Sequence, residues 1–324
     1  MPSSKYASAF PAAAALLATT AVAGCSDPSS AAPQDRAQPA INVSAQQKRV
    51  AVTKDATAAA LLPDPVRRKG AITIADTAGA SGSPPLAFTA DDNKTPIGVE
   101  VDLAYLVAGK LGLRLDLEHT GFENLFLGVD SGRYDAVLSN VTVTEERKEK
   151  YDFATYRKDD VSFEARKGEG WKVSSGKDIA GKTIAVASGT NQEKILVDWN
   201  SANIKAGLKP AKIVYYQNSS DYYLALSSRR IDAYFGPSPS ARYHVATSGK
   251  TEVVGTFSGG GNHVQGLIAA LSKKGSGLAK PLAAALNSAI ADGSYGKVLQ
   301  RWQLNSEAVK TSQINPPGLP KAQG

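Results

Sequence analysis

The sequence predicts an α/β protein of two lobes, each lobe being a β-sheet covered by helices. Short apolar runs typical of buried strands alternate with segments whose apolar residues recur at helical spacing. Strand and helix units of this length form parallel sheets covered on both faces. The alternation begins at Ile72–Ala75 and starts again after Gly181, and this second series predicts the second lobe.

The first series contains three predicted strands and two predicted helices. The strands are residues 72–75, 113–117 and 134–138, and the helices are residues 99–111 and 123–131. The helix at 99–111 places Leu103, Leu106, Val107 and Leu111 on one face. It is predicted to end at Gly112, because glycine readily adopts the left-handed conformation that closes a helix.

The second series repeats the pattern and is followed by a helical end. Strands are predicted at residues 183–187, 213–216 and 231–235, with helices that begin at Asn191 and Asp221. Two further helices are predicted at residues 278–290 and 294–302. The Asp292-Gly293 pair predicts the break between them.

The composition excludes several classes of function. The 324 residues are 42% hydrophobic, and 37 Lys and Arg against 30 Asp and Glu give a net charge of +7. No run of basic residues is longer than the three at 67–69, so a nucleic-acid-binding stripe is not expected. One cysteine and three separated histidines argue against disulfide frameworks and zinc sites. We therefore expect neither a metal nor a cofactor.

The N-terminus has the layout of a signal peptide at residues 1–24. Lys5 is followed by nineteen uncharged residues, and the segment ends in Val22-Ala23-Gly24-Cys25. A transmembrane helix is the alternative, but the stretch is mostly Ala and Thr and contains Pro11. The last four residues resemble the lipobox of bacterial lipoproteins, which implies cleavage before Cys25 and lipidation of its sulfur.

Residues 25–68 are predicted to be a tether that ends in a short helix. Residues 26–53 are rich in Ser, Ala, Pro and Gln and have no apolar period. Asp55 is placed to cap a short Ala/Leu helix that stops before Pro63. The tether would hold the folded body away from a membrane anchor.

Six segments in register resemble the extracellular solute-binding proteins of family 3, the polar-amino-acid receptors of ABC importers. The matching segments are residues 98–104, 127–136, 140–153, 178–190, 229–235 and 291–302. Together they extend over about residues 70–304 in the family order. A single segment is a weak signal, whereas six in the same order are a specific one.

The resemblance implies a two-lobed fold of the type II periplasmic-binding-protein class. Two crossing strands near residues 158–162 and 260–266 would act as the hinge. Lobe one would comprise residues 69–158 plus 265–306, lobe two residues 160–260, and residues 307–324 a flexible tail. The resemblance also implies a monomer that captures an amino acid or a derivative between the lobes and delivers it to ABC permease subunits. Contact with the membrane would be through the lipid anchor only.

In lobe one, the resemblance implies that Arg147 grips the carboxylate of the solute. A guanidinium is permanently charged and binds a carboxylate in a bidentate manner. Thr144, three residues earlier, can cap the turn that contains Arg147. Asn140 and Thr142 match polar contacts of the family, and Phe122 matches an apolar contact to the solute side chain. From the residues alone, Arg147 is better explained as part of a solvated Glu-Glu-Arg-Lys face, and Phe122 could equally be a core residue.

In lobe two, the resemblance implies that Gly189, Thr190 and Asn191 contact the same carboxylate. Thr190 followed three residues later by Glu193 is a capping box, so the first N–H groups of the helix would face a bound anion. A helix start without a ligand is the alternative interpretation.

Two positions depart from the family pattern. The aromatic residue that usually precedes the Pro after the first strand is Ser83 here, and Phe88 follows later as its replacement. The acid that usually pairs with the α-ammonium group is Pro237. Another acid could replace it, or the solute could lack a primary ammonium, with Tyr215, Tyr216 or Tyr234 facing a methylated or cyclic cation. The candidate acids are Asp76, Glu100 and Asp221.

The sequence leaves two alternatives to the transport receptor. An extracellular sensor uses the same closing cleft, so the sequence does not separate it from a receptor. A dehydratase-type enzyme on the same scaffold would need a paired nucleophile and base or a metal site, and no such spacing is found. We therefore expect a binding protein with no catalytic residues.

Overall fold

A computed structural model of the chain describes residues 41–79, 82–262 and 264–321. The predicted signal peptide, Cys25 and the tether as far as residue 40 lie outside the described residues. None of the helices in the described ranges combines the length and apolarity needed to cross a membrane.

The described elements follow the predicted alternation of strands and helices. The helices are α1 (Ala56–Ala60), α2 (Asp64–Lys69), α3 (Val99–Leu111), α4 (Phe122–Asp130), α5 (Asn191–Lys205), α6 (Ser219–Ser227), α7 (Ser238–Ser248), α8 (Ala279–Ala291) and α9 (Ser294–Arg301). The strands are β1 (Ala71–Asp76), β2 (Phe88–Thr89), β3 (Pro96–Ile97), β4 (Arg114–His119), β5 (Ala136–Val137), β6 (Tyr151–Arg166), β7 (Thr183–Val186), β8 (Lys212–Tyr215), β9 (Ala233–Pro237), β10 (Thr251–Ser258) and β11 (Gly266–Lys273).

Local sequence signals explain the ends of several helices. Asp55 caps α1 by accepting a hydrogen bond from the Ala58 N–H at 2.9 Å. Helix α3 ends at Gly112, whose φ of +66° is in the left-handed region. The predicted strand at 134–138 is shorter than expected, with only Ala136–Val137 paired, because the chain turns at Asn140 with a φ of +52°.

Two groups of parallel strands are joined through the long strand β6. In the first, β1 lies between β4 and β5 and is parallel to both. In the second, β7 lies between β8 and β9 and is again parallel to both. Strand β6 is antiparallel to β11 over its first half and to β9 and β10 over its second half. The chain therefore forms the two-lobed α/β fold that the sequence predicts.

The exchange of strand partners occurs at one point of β6. Asp159 pairs with Gly266 of β11, and the next residue, Asp160, pairs with Ser258 of β10. Residues 259–265 connect these two partner strands, so they form the second connection between the lobes. The carboxyl ends of β1, β5, β7 and β8 face the same cleft, which is where open α/β sheets bind ligands.

Each lobe has an apolar core of its own. In lobe one, α3, α8 and α9 pack on the sheet around the fully buried Trp302. In lobe two, the rings of Phe163 and Phe235 stack at 4.0 Å, and Trp199 and Phe257 pack beside them. Because both cores are complete, the cleft between the lobes can be polar without loss of the fold.

The C-terminal segment 307–321 is folded onto the protein, and the prediction of a flexible tail is wrong for these residues. Ile314 bridges to Ala154 of β6, and Leu319 exchanges backbone hydrogen bonds with Val143 and Glu145. Leu319 is buried against the core of lobe two. The segment has little apolar period of its own, and its contacts are with residues distant in sequence.

Residues 41–53 are also packed, although their composition predicts a tether. Ile41, Ala45, Val50 and Val52 lie against the core of lobe one. Arg49 forms an ion pair with the buried Asp102 at 3.2 Å. A few spaced apolar residues and one charged contact therefore hold this segment in place.

Candidate functional site

A cavity of about 100 Å³ lies between the two lobes. Several of its residues directly follow the carboxyl ends of parallel strands, which makes this edge of each sheet its wall. The described lining residues are Thr77, Ser83, Leu86, Glu100, Phe122, Ser139, Asn140, Ala187, Thr190, Asn191, Gln192, Gln217, Ser219, Tyr222, Tyr234, Phe235 and Pro237. Both lobes contribute, so a bound solute would bridge them.

Four of the residues selected from the sequence line this cavity: Phe122, Asn140, Thr190 and Asn191. Phe122 begins α4 and packs edge to face on Phe126 at 5.7 Å. Asn140 holds its side chain by accepting a hydrogen bond from Arg157 at 2.5 Å. The cavity therefore has the aromatic ring of Phe122 on one side, and on another the side-chain amide of Asn140, which is held in place by Arg157.

The turn at 189–191 presents the N-terminus of α5 to the cavity. Thr190 caps the helix by accepting from the Glu193 N–H at 3.2 Å, and Glu193 accepts from the Gly189 N–H at 2.6 Å. The first N–H groups of a helix have no partner within it and attract anions. The Asn191 side chain turns toward the hinge, where it donates to the Gly259 carbonyl at 3.0 Å.

Arg147 lies beside this cavity and does not line it. It lines an adjoining cleft of about 740 Å³, to which Gly189, Thr190 and Asn191 also contribute. Its guanidinium donates to the carbonyls of Thr142 and Gly189, at 2.9 Å in each case. These carbonyls belong to opposite lobes, so Arg147 bridges the cleft. The guanidinium carbon is 5.8 Å from the ring centre of Phe122, which does line the cavity.

The positive charge of Arg147 has no carboxylate in ion-pair contact among the described residues. Burial is the main influence on the pKa of Arg147 and lowers it to about 10, although the charges of Asp159 and Glu146 act to raise it. A half-buried guanidinium that donates only to neutral carbonyls would gain from an anionic partner.

Thr142 is fully buried and faces the hinge. Its hydroxyl donates to Asp159 at 2.7 Å, and Asn191 donates to the same carboxylate oxygen at 3.1 Å. Burial raises the pKa of Asp159 to about 6. Sequence analysis missed Asp159, although the Asp159-Asp160 pair at the predicted crossing near residues 158–162 was a detectable signal. This carboxylate joins one residue of each lobe at the point where β6 changes partners.

Phe88 does not line the cavity described above, and the structure corrects its proposed position beside the solute. It pairs with Ile97 in the β2–β3 hairpin, and its ring meets Trp302 edge to face at 5.9 Å. The hairpin turns Phe88 into the core of lobe one. Ser83 and Leu86, from the same loop, line the cavity in its place.

Of the three candidate acids, only Glu100 lines the cavity. Asp76 accepts hydrogen bonds from His119 at 2.6 Å and from the Ala78 N–H at 2.8 Å, and the bond to Asp76 raises the pKa of His119. Asp221 is exposed. Glu100 is fully buried and accepts a hydrogen bond from Arg157 at 2.7 Å and another from Tyr156.

One aromatic side of the cavity is formed by two stacked tyrosines. Tyr234 lies on Tyr222 with 3.6 Å between ring centres and 2° between ring planes. Tyr215 and Tyr216 are not among the lining residues. Sequence analysis missed Tyr222, because its place on α6 looks like an ordinary core position.

The protein was compared with known families, proteins and structures. Residues 77–305 match the family model of bacterial extracellular solute-binding proteins, family 3. The L-cystine-binding protein TcyJ of Escherichia coli is 32% identical over 52% of this chain, and the match spans 59% of that relative's length. The arginine-binding protein ArgT of Corynebacterium glutamicum is 28% identical over 79% of this chain and 82% of the relative. A mutant of ArgBP from T. maritima is structurally similar, with a TM-score of 0.64, 23% identity and coverage of 74% of this chain and 98% of that one.

Proposed function

Because the chain belongs to the bacterial extracellular solute-binding proteins, family 3, we propose that it is the solute-capturing receptor of an ABC importer. It captures an amino acid, or an amino-acid-like carboxylate solute, in the cavity between its lobes. The amino-acid-binding relatives from E. coli and C. glutamicum support this class of solute.

The observation that carries the proposal is the unpaired charge of Arg147 next to the N-terminus of α5. A carboxylate at the 189–191 turn would receive a guanidinium from lobe one and helix N–H groups from lobe two. It would replace the Gly189 carbonyl as the partner of Arg147. Binding then joins the lobes through the solute, which favours the closed state.

The remaining predicted contacts divide into direct and indirect ones. We assign direct contact to Phe122, Asn140, Thr190 and Asn191, which line the cavity. Thr142 acts indirectly. Its carbonyl accepts a hydrogen bond from Arg147, and its hydroxyl donates one to Asp159. Phe88 has no role at the solute in this proposal.

The lobes would close about the two connections near residues 158–162 and 260–266. In this proposal lobe one comprises residues 69–158 plus 265–306, and lobe two comprises residues 160–260. The exchange of partners at Asp159 supports this division. A rotation at this point moves the 189–191 turn relative to Arg147.

A thermal-shift screen tests the function. Purified protein is heated with amino acids, betaines, cyclic amino-acid derivatives and opines, and a true solute at about 100 times its dissociation constant adds about 2.7 kcal/mol of stability. We expect a shift with at least one carboxylate-bearing nitrogen compound, which is recovered unchanged from the complex. If no such compound shifts the transition, or if the solute is converted, the receptor proposal is wrong.

We further propose that the mature protein is a monomer anchored to the outer face of the cell membrane through Cys25, where it meets the permease subunits. Cys25→Ser removes the thiol that would receive the lipid. We expect the variant to be released or left uncleaved, with unchanged solute binding. Fractionation of cells and the mass of the product measure this. A Cys25→Ser variant that stays in the membrane at mature size would contradict lipidation.

A further inference from the structure

The cavity between the lobes is nearly free of charge. Among its described lining residues, Glu100 is the only Asp, Glu, Lys, Arg or His. The two lining tyrosines, Tyr222 and Tyr234, are neutral at physiological pH, because burial raises the pKa of both far above its ordinary value. The solute therefore meets one carboxylate in the cavity, and Arg147 lies in the adjoining cleft.

Glu100 belongs to a buried cluster with more acid than base. Arg157 donates to Glu100 at 2.7 Å and also to Glu307, so two carboxylates share one guanidinium. Glu307 does not line the cavity, whereas Glu100 does. A carboxylate oxygen accepts more than one hydrogen bond, so Glu100 can accept another donor from the cavity side. It is the acid available for one cationic group, at a site where Pro237 offers none.

The other polar lining groups are amides and hydroxyls. Gln192, in the first turn of α5, is 4% exposed, and its side-chain oxygen has no hydrogen-bond partner among the described residues. Gln217, Ser139 and Ser83 line the same space. A buried acceptor without a partner is unfavourable until a donor arrives. The oxygen of Gln192 therefore selects a solute that brings an N–H or O–H group to it.

We propose that the solute is an amino acid with an uncharged, hydrogen-bonding side chain. This inference depends on the proposed function and specifies its substrate class. The α-carboxylate binds Arg147 and the N-terminus of α5, the α-ammonium faces Glu100, and the side chain meets the amides and hydroxyls. A guanidinium side chain would need a second carboxylate, and an acidic one a second cation. The solute therefore differs from arginine, the ligand named for the C. glutamicum relative.

Two matched pairs of solutes test this inference by isothermal titration at pH 7. L-citrulline has the shape of L-arginine without its charge, and L-glutamine has the shape of L-glutamate. We expect the neutral member of each pair to bind about 10-fold tighter or more, because a charged side chain would be buried in the cavity without an opposite charge to pair with. Equal or tighter binding of arginine or glutamate overturns the inference and leaves the receptor function standing. Failure of every amino acid in the wider screen defeats the receptor function itself.

Gln192→Glu gives an independent readout of the same site. The variant adds a carboxylate to the cavity, so the ratio of the citrulline to the arginine dissociation constant should change about 10-fold or more in favour of arginine. Gln300→Glu, on the exposed face of α9, is the matched control and should leave the ratio unchanged. An unchanged ratio in Gln192→Glu shows that residue 192 does not face the side chain and overturns the assignment.

Discussion

Arg157→Met is expected to lower the free energy of unfolding by about 3–5 kcal/mol, because it leaves two buried carboxylates without their cation. Arg157 is 1% exposed and donates to Glu100, Glu307 and Asn140. Although burial alone would lower the pKa of Arg157, the two carboxylates raise it above its ordinary value. Methionine fills similar space and supplies no donor, so the loss reports the electrostatic pairing.

Chemical denaturation at several pH values measures this loss. Burial raises the pKa of Glu307 even beside Arg157, so its folded-state pKa lies above the unfolded value. Without Arg157 the gap widens, and the folded variant takes up a proton more readily than the unfolded chain. The deficit should therefore shrink as the pH falls from 7 to 5. A deficit that grows over this range would argue against an uncompensated carboxylate.

Two further variants keep this prediction informative. Arg133→Met removes an exposed pair with Glu118 and should cost at most about 1 kcal/mol. Glu307→Gln in the Arg157→Met background removes one unpaired charge and should restore part of the stability. If the double variant is no more stable than Arg157→Met, the loss comes from packing.

The first-lobe helix α3 shows what sequence could predict. Its apolar residues at helical spacing and the glycine at its end fixed both boundaries, and the structure has the same Val99–Leu111. The strands of both series were also predicted within a few residues. These signals are local: each depends on a period or a turn within about fifteen residues.

The packed ends of the body show what local signals miss. Residues 41–53 and 307–321 have tether-like composition, and neither has an amphipathic period. They are held by contacts with residues distant in sequence, such as Arg49 with Asp102 and Leu319 with Val143. When a segment is ordered by the surface on which it packs, the spacing of its own apolar residues gives little sign of that order.

The candidate site divides in the same way. The turn at 189–191 was predicted to open a helix, and the capping contact of Thr190 to Glu193 confirms this part. The burial of Asp159 and of the unpaired oxygen of Gln192 depends on how the lobes meet, and the position of Phe88 depends on the packing of its hairpin against Trp302 within lobe one. The spacing of residues in the sequence does not show which of them come together in this way.

Arg147→Ala is expected to weaken solute binding by about 100-fold or more. Removing one partner of a desolvated, hydrogen-bonded charge pair costs about 2–5 kcal/mol, and in this proposal the solute carboxylate is the anion that Arg147 lacks. Titration with the strongest solute of the screen measures the loss. Lys148→Ala removes the same charge from the same turn and is the control, because Lys148 lines neither cavity described above.

Arg147 could instead stabilise closure only through its hydrogen bond to the Gly189 carbonyl. Comparing the binding of the solute with that of its α-carboxamide, which lacks the carboxylate charge, distinguishes this role from binding of the carboxylate. If Arg147 grips the carboxylate, the wild-type protein strongly prefers the acid, and Arg147→Ala loses most of that preference. If Arg147 acts only as a bridge between lobes, the variant weakens acid and amide equally, and the preference is retained. Arg147→Lys should restore charge without the bidentate fork and recover only part of the preference, since an ammonium binds a carboxylate as a point charge. Full affinity in Arg147→Ala would place the carboxylate on the N-terminus of α5 alone.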